Sequence, residues 1–136
     1  MRKFLILLAL FSANASAEWQ SLGTNAGETA YVDMSGILHR DRYRVRMWGL
    51  FDLQTPRNFG DLTYSSMKIQ REYNCRTRES RIIARSVHTG KMGEGETIYS
   101  SNTHNKWLPV EPDSAEEALW NVACETPKQS PSATLK

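Results

Sequence analysis

The chain is poor in the residues that build metal and nucleophilic sites, with two cysteines and three histidines among 136 residues. His39, His88 and His104 lie far apart and form no H-x-x-x-H pair. Once both cysteines are given to a crosslink, no Cys/His ligand set remains, so neither a metal nor another cofactor is expected. The three histidines then read as partly exposed groups in turns and at strand ends. No G-x-S-x-G elbow occurs, which removes the local signature of one large class of serine hydrolases. The stretch Gly90-Lys91-Met92-Gly93-Glu94-Gly95 is rich in glycine. It lacks the G-K-[ST] ending and the following helix of a phosphate loop, and reads as a bend between two strands. The chain is not expected to be an enzyme.

Charge of one sign is not in excess. The 17 basic residues face 15 acidic ones, and Arg2 and Lys3 lie in a segment expected to be removed. The remainder has 15 of each and is formally neutral. Nucleic-acid binding favours a strong basic surplus, so no such partner is expected. Only one long apolar run occurs, Phe4 to Phe11. It is about half the ~20 residues needed to span a bilayer.

What that run does have is the context of a secretory signal. Arg2 and Lys3 precede it, and Ala15-Ser16-Ala17 follows as a small-x-small cleavage pattern. Residues 1–17 are therefore expected to be a signal peptide cut before Glu18, with the product periplasmic or secreted. No cysteine stands near that cut, so no lipid anchor is expected, and no membrane span. The mature chain, about 119 residues, is enough for one domain and too little for two. Cys75 and Cys124 both lie in it, and an oxidising compartment makes a disulfide between them the default. Closing a loop of about 50 residues is worth roughly 4 kcal/mol in the chain-entropy account.

Alternation is the clearest pattern. From Arg42 to Leu53 one parity carries Tyr43, Val45, Met47, Gly49, Phe51 and Leu53, and the other carries Arg42, Arg44, Arg46 and Asp52, with Trp48 and Leu50 as exceptions. Ser65 to Cys75 repeats this, with Met67, Ile69, Tyr73 and Cys75 on one face and Arg71 as the misfit. Such periods predict half-buried strands. Further strands are predicted at Trp19–Leu22, Tyr31–Asp33, Arg81–His88 and Glu96–Ser101. Turns are expected at Thr24–Gly27, Asp33–Gly36, Pro56–Asp61 and Thr89–Gly95. One helix is predicted from a capping box, either Asp113 with Glu116 or Ser114 with Glu117. Ala115, Ala118, Leu119 and Val122 then share a stripe, and the helix ends near Cys124. Residues 126–136 read as a disordered tail. The fold class is α+β: a twisted antiparallel sheet of about six strands, with one C-terminal helix packed on one face by the Cys75–Cys124 bond.

The stretches YVDMSGI (Tyr31 to Ile37), MKIQREYNC ending at Cys75, VHTGKMGEGE (Val87 to Glu96) and PDSAEEALWNVAC ending at Cys124 resemble the surface-adhesin protein E family. The resemblance spans roughly Glu18 to Cys124. It implies the same architecture and a non-enzymatic binding role. Characterised members bind host matrix and serum proteins such as vitronectin and laminin. Some are lipoproteins, and this sequence departs from them in lacking the lipid-attachment cysteine.

The candidate binding surface read from the residues is one strand face carrying Arg42, Arg44, Arg46 and Trp48, joined by Arg81 and Arg85 if Ile82 and Ala84 point inward. Arginine and tryptophan are enriched among residues that dominate interfaces. Such a face suits a host or envelope protein or an anionic polymer. The plainer reading is a wet sheet face whose arginines pair with Glu72 or Glu79. A third account makes Trp48 and Leu50 a homodimer contact in a structural envelope protein without an external ligand.

Overall fold

The computed structural model describes residues 17–125. The expected signal peptide 1–17, apart from Ala17, and the expected tail 126–136 lie outside the described residues. The elements are β1 Trp19–Asn25, β2 Glu28–Asp33, β3 Leu38–His39, β4 Arg44–Phe59, β5 Leu62–Asn74, β6 Glu79–His88, β7 Thr97–Ser101, β8 Leu108–Pro109 and helix α1 Ala115–Glu125. All pairings are antiparallel, in the order β1-β2-β4-β5-β6-β7. The two-residue strands β3 and β8 extend β4 and β6 beside this path. The expected six strands are therefore the six of the main sheet.

The long β4–β5 hairpin is its spine. Its turn lies at Gly60-Asp61 rather than across Pro56–Asp61, because β4 continues to Phe59. The pairing of β4 with β5 breaks between Asp52 and Arg57, and Pro56 falls in that break, where its missing N–H costs no ladder bond.

On one face Val32, Val45, Met47 and Tyr73 meet Leu119 and Ala123 of α1 in a fully buried cluster. The close approach needs Gly49 in β4: a Cβ there would lie 3.3 Å from a Leu119 methyl. Burying Leu119 is worth roughly 2 kcal/mol. Of the two capping candidates, Ser114 with Glu117 forms. The Ser114 hydroxyl accepts from the Glu117 amide at 3.1 Å, and the Glu117 carboxylate accepts from the Asp113 amide at 3.3 Å. Cys75 and Cys124 are bonded, with Cα atoms 5.4 Å apart, tying the end of β5 to the last turn of α1. Arg71, the misfit of its strand, lies 3.7 Å from Glu116 of the helix and donates to Ser80 at 3.3 Å. Glu116 and Glu117 thus meet Arg71 and Arg78, beyond any service to the helix dipole.

The opposite face departs from a wet surface. Leu50 is fully buried there, so it is not one of two apolar side chains left in solvent. The link from β6 to β7 folds back over it. The Met92 amide donates to Asp52 at 2.7 Å, the Gly93 amide donates to the Ser66 hydroxyl at 2.8 Å, and Ser66 donates to the Gly90 carbonyl at 2.6 Å. Lys91 adds an ion pair to Asp52 at 3.2 Å. Gly93 has φ +73°, and a Cβ there would meet Lys68 at 2.9 Å and Leu50 at 3.4 Å. The glycine-rich stretch therefore bends the chain, and it also serves as a lid on Leu50.

Candidate functional site: the arginine face of β4

Arg44, Arg46 and Trp48 do project from one face of β4, and Arg42 precedes them at its end. Register adds Arg81 from β6, opposite Glu72 of β5, which itself faces Arg46. Arg85 does not join. Ile83 is an extra residue between the pairs Gln70–Ala84 and Arg71–Ile82, and this bulge reverses the parity of β6 beyond it. Arg85 aligns instead with Ile69, on the helix side, and its guanidinium lies 5.1 Å from the centre of the Tyr99 ring.

Glu72 organises the arginines. It is completely buried, accepting from Arg46 Nε at 2.6 Å and from Arg81 Nη2 at 2.9 Å and Nε at 3.2 Å, with Arg44 at 3.9 Å. Burial pushes its carboxyl up, and the bonds from Arg46 and Arg81 more than offset this, leaving it below the usual glutamate value. Arg81 also stacks over Trp107 at 4.7 Å. Arg46 and Arg81 are thus committed to holding a buried charge, as the plainer reading of this face expected.

Two further arginines gather at one end of the sheet. Asp41 shapes the turn into β4, accepting from the Tyr43 and Arg44 amides at 2.9 Å each and from Arg44 Nε at 2.6 Å. These bonds hold its carboxyl down at about 2. The turn presents Tyr43 to solvent, with Arg42 at 5.6 Å from its ring centre and Arg76 at 5.4 Å. Neither Arg42 nor Arg76 has a carboxylate partner among the described residues. Arg76 was missed in the sequence. The signal was the pairing of the two alternating strands, which brings the turn after Asn74 beside the residues before Arg44; the Cys75 amide bonds the Tyr43 carbonyl at 2.8 Å.

Trp48 is partly buried between two shallow depressions on the same face. One, about 250 Å³, is lined by Ala17, Trp19, Asp33, Trp48, Lys68 and Ser86; the other lies toward Ser100 and Asn102.

The histidines offer no converging ligands. His88 is buried rather than partly exposed, bonded to Ser86 at 2.7 Å and Thr97 at 3.3 Å. Burial, and then the charge of Lys68, lowers its pKa. Among the described residues no three His, Cys, Asp or Glu side chains cluster as a metal site. No helix there is long and apolar enough to cross a membrane.

Residues 19–125 match the family described as surface-adhesin protein E. The chain belongs to that family. Three crystal structures of Haemophilus influenzae protein E share its fold. The first aligns with a TM-score of 0.58 at 13% identity, covering 79% of this chain and 93% of protein E. A second crystal form gives 0.58 at 13%, covering 82% and 97%. Protein E from a non-typeable strain gives 0.56 at 12%, covering 81% and 86%. No curated protein matches the sequence. At this identity the likeness to protein E carries the fold, while the arginine end described above rests on this chain's own residues.

Proposed function

We propose that the chain is an exported, non-enzymatic binding module that grips an acidic segment of a host matrix protein with the basic end of its sheet. The observation that supports this most is Tyr43, exposed and flanked by the guanidiniums of Arg42 and Arg76, neither neutralised by a described carboxylate. Two guanidiniums held over one exposed ring present their N–H donors to a carboxylate beside an aromatic contact. Family membership supports a binding role over a catalytic one. Trp48, partly exposed on β4 at the parity opposite that of Tyr43, offers a second contact beside Arg44 and Arg46. The homodimer account loses half its motive, because Leu50 is covered within the chain itself.

The test is binding of the purified mature domain to immobilised vitronectin and laminin. Saturable binding is expected, weakening as salt rises, since exposed charges are screened. Arg42→Glu and Trp48→Ala should each weaken it by roughly tenfold, in the range of interface hot spots. Binding unchanged in both variants removes this surface. Protection of the protein from protease added to intact cells removes the host partner.

A further inference from the structure

Asp33 is a buried carboxylate held only by neutral donors. It is 8% exposed, and its Oδ1 accepts three bonds: the Ser35 hydroxyl at 2.6 Å, the Ser35 amide at 3.0 Å and the Glu18 amide at 3.0 Å. No cation pairs with it among the described residues. A buried charge without a counter-charge is costly, and the usual remedy is an opposite charge at hydrogen-bond distance. The Glu18 nitrogen is the first atom after the bond that the small-x-small pattern marks for cutting. A second bond, from the Met34 amide to the Glu18 carbonyl at 2.9 Å, fixes that residue against the start of the Met34–Gly36 turn.

We propose that Ala17–Glu18 is the processing bond and that its hydrolysis creates the missing counter-charge, an α-ammonium on Glu18 seated on Asp33. Water adds across the peptide bond, leaving a carboxylate on Ala17 and an amine on Glu18 that protonates at neutral pH. The neutral amide donor thereby becomes a cation with three donors, without moving. Removal of Ala17 also takes away one wall of the depression beside Trp48. Maturation thus both locks the first strand and enlarges the cavity on the arginine face. The other charged groups at this position are the Glu18 carboxyl itself and Lys68, which lines the same depression.

The inference rests on the export reading, and the experiment separates the two. Intact mass of the protein recovered from cells should show a chain beginning at Glu18. A chain still beginning at Met1 overturns export as well, whereas a new N-terminus at any other residue overturns the latch alone. Oxidised chains beginning at Glu18 and at Ala17 are then melted at pH 6. The Glu18 form should melt about 4 °C higher, as expected for a modest gain in a domain of this size. An unperturbed α-amino group titrates near 7.7–8.0, and the carboxylate raises that value. The advantage is therefore full at lower pH and disappears as pH rises through the raised value. Asp33→Asn should erase the difference between the two chains. Equal melting at pH 6, or a difference that persists unchanged at pH 10, overturns the proposal, and the pH series decides even if Asp33→Asn does not fold.

Discussion

The two faces of the sheet bury comparable side chains by different means. On the helix face, apolar residues of β2, β4 and β5 meet α1, and a disulfide clamps the contact. On the other face, Leu50, Asp52, Ser66 and Glu72 are as deeply buried, yet among the described residues no second α-helix covers them. A glycine-rich link seals Leu50, Asp52 and Ser66 through backbone amides, and Arg46 and Arg81 close over Glu72. The first face rests mainly on apolar matter at alternate positions, with Arg71, Ser80 and Glu116 as its one polar cluster named above. The second needs donors placed to tenths of an ångström, since a buried carboxylate or hydroxyl is tolerated only when bonded.

The sharpest way to break the contrast is to remove the clamp. Replacing Cys75 and Cys124 together by alanine should cost about 4 kcal/mol, read from the midpoint of urea unfolding of the oxidised and mutant chains. A cost below about 1 kcal/mol would mean that apolar packing alone holds the helix, and that the two faces differ less than the covalent bond suggests.

Next in size is a test of whether the lidded face is a true core. Leu50→Ala and Met47→Ala remove similar volumes from neighbouring parities of β4, one under the glycine lid and one under the helix. Both should cost about 3 kcal/mol. If Leu50→Ala costs under 1 kcal/mol while Met47→Ala costs the full amount, the lid opens readily and the second face is closer to solvent than its burial implies.

The helix face was readable in the sequence because its rule is local. Val45, Met47 and Tyr73 alternate with polar neighbours, and Leu119 lies on the helical stripe beside Ala115 and Ala118. The capping serine and the cysteine pair were equally visible. The lidded face was not, since Leu50 becomes buried through Met92 and Gly93, some 40 residues away, and alternation says nothing about what folds over a strand. The condition set for Arg85, that Ala84 point inward, fails for a related reason. A single extra residue, Ile83, reverses every side chain beyond it, and no residue type announces a bulge in advance. At the candidate site, Arg42 and Trp48 were identified from their own strand. Arg76 needed strand pairing, and the commitment of Arg46 and Arg81 to Glu72 needed burial as well as sequence order.

The smallest effect also discriminates between the faces, because His88 and Glu72, whose pKa values are lowered, both lie on the lidded one, whereas burial pushes the Tyr73 hydroxyl of the helix face up and away from the acid range. His88 is kept neutral by burial and by Lys68, so its folded pKa lies below the unfolded value near 6.5. The unfolded chain then takes up the proton first, and the contribution of His88 is present above about pH 6.5 and lost as pH falls through its folded value. Glu72 behaves in the same sense at lower pH: its carboxyl is held down, so its contribution is present above the unfolded glutamate value and lost as pH falls through the folded one. Stability should therefore decline in two steps on acidification. The first, below about pH 6.5, should vanish in His88→Gln, and the second, near and below pH 4, should remain in that variant. Urea midpoints measured from pH 7.5 to 3.5 resolve both steps. A profile that stays flat down to pH 4 would mean that the histidine pocket and the arginine clasp open to solvent before the sheet does, leaving the helix face as the sole cooperative core.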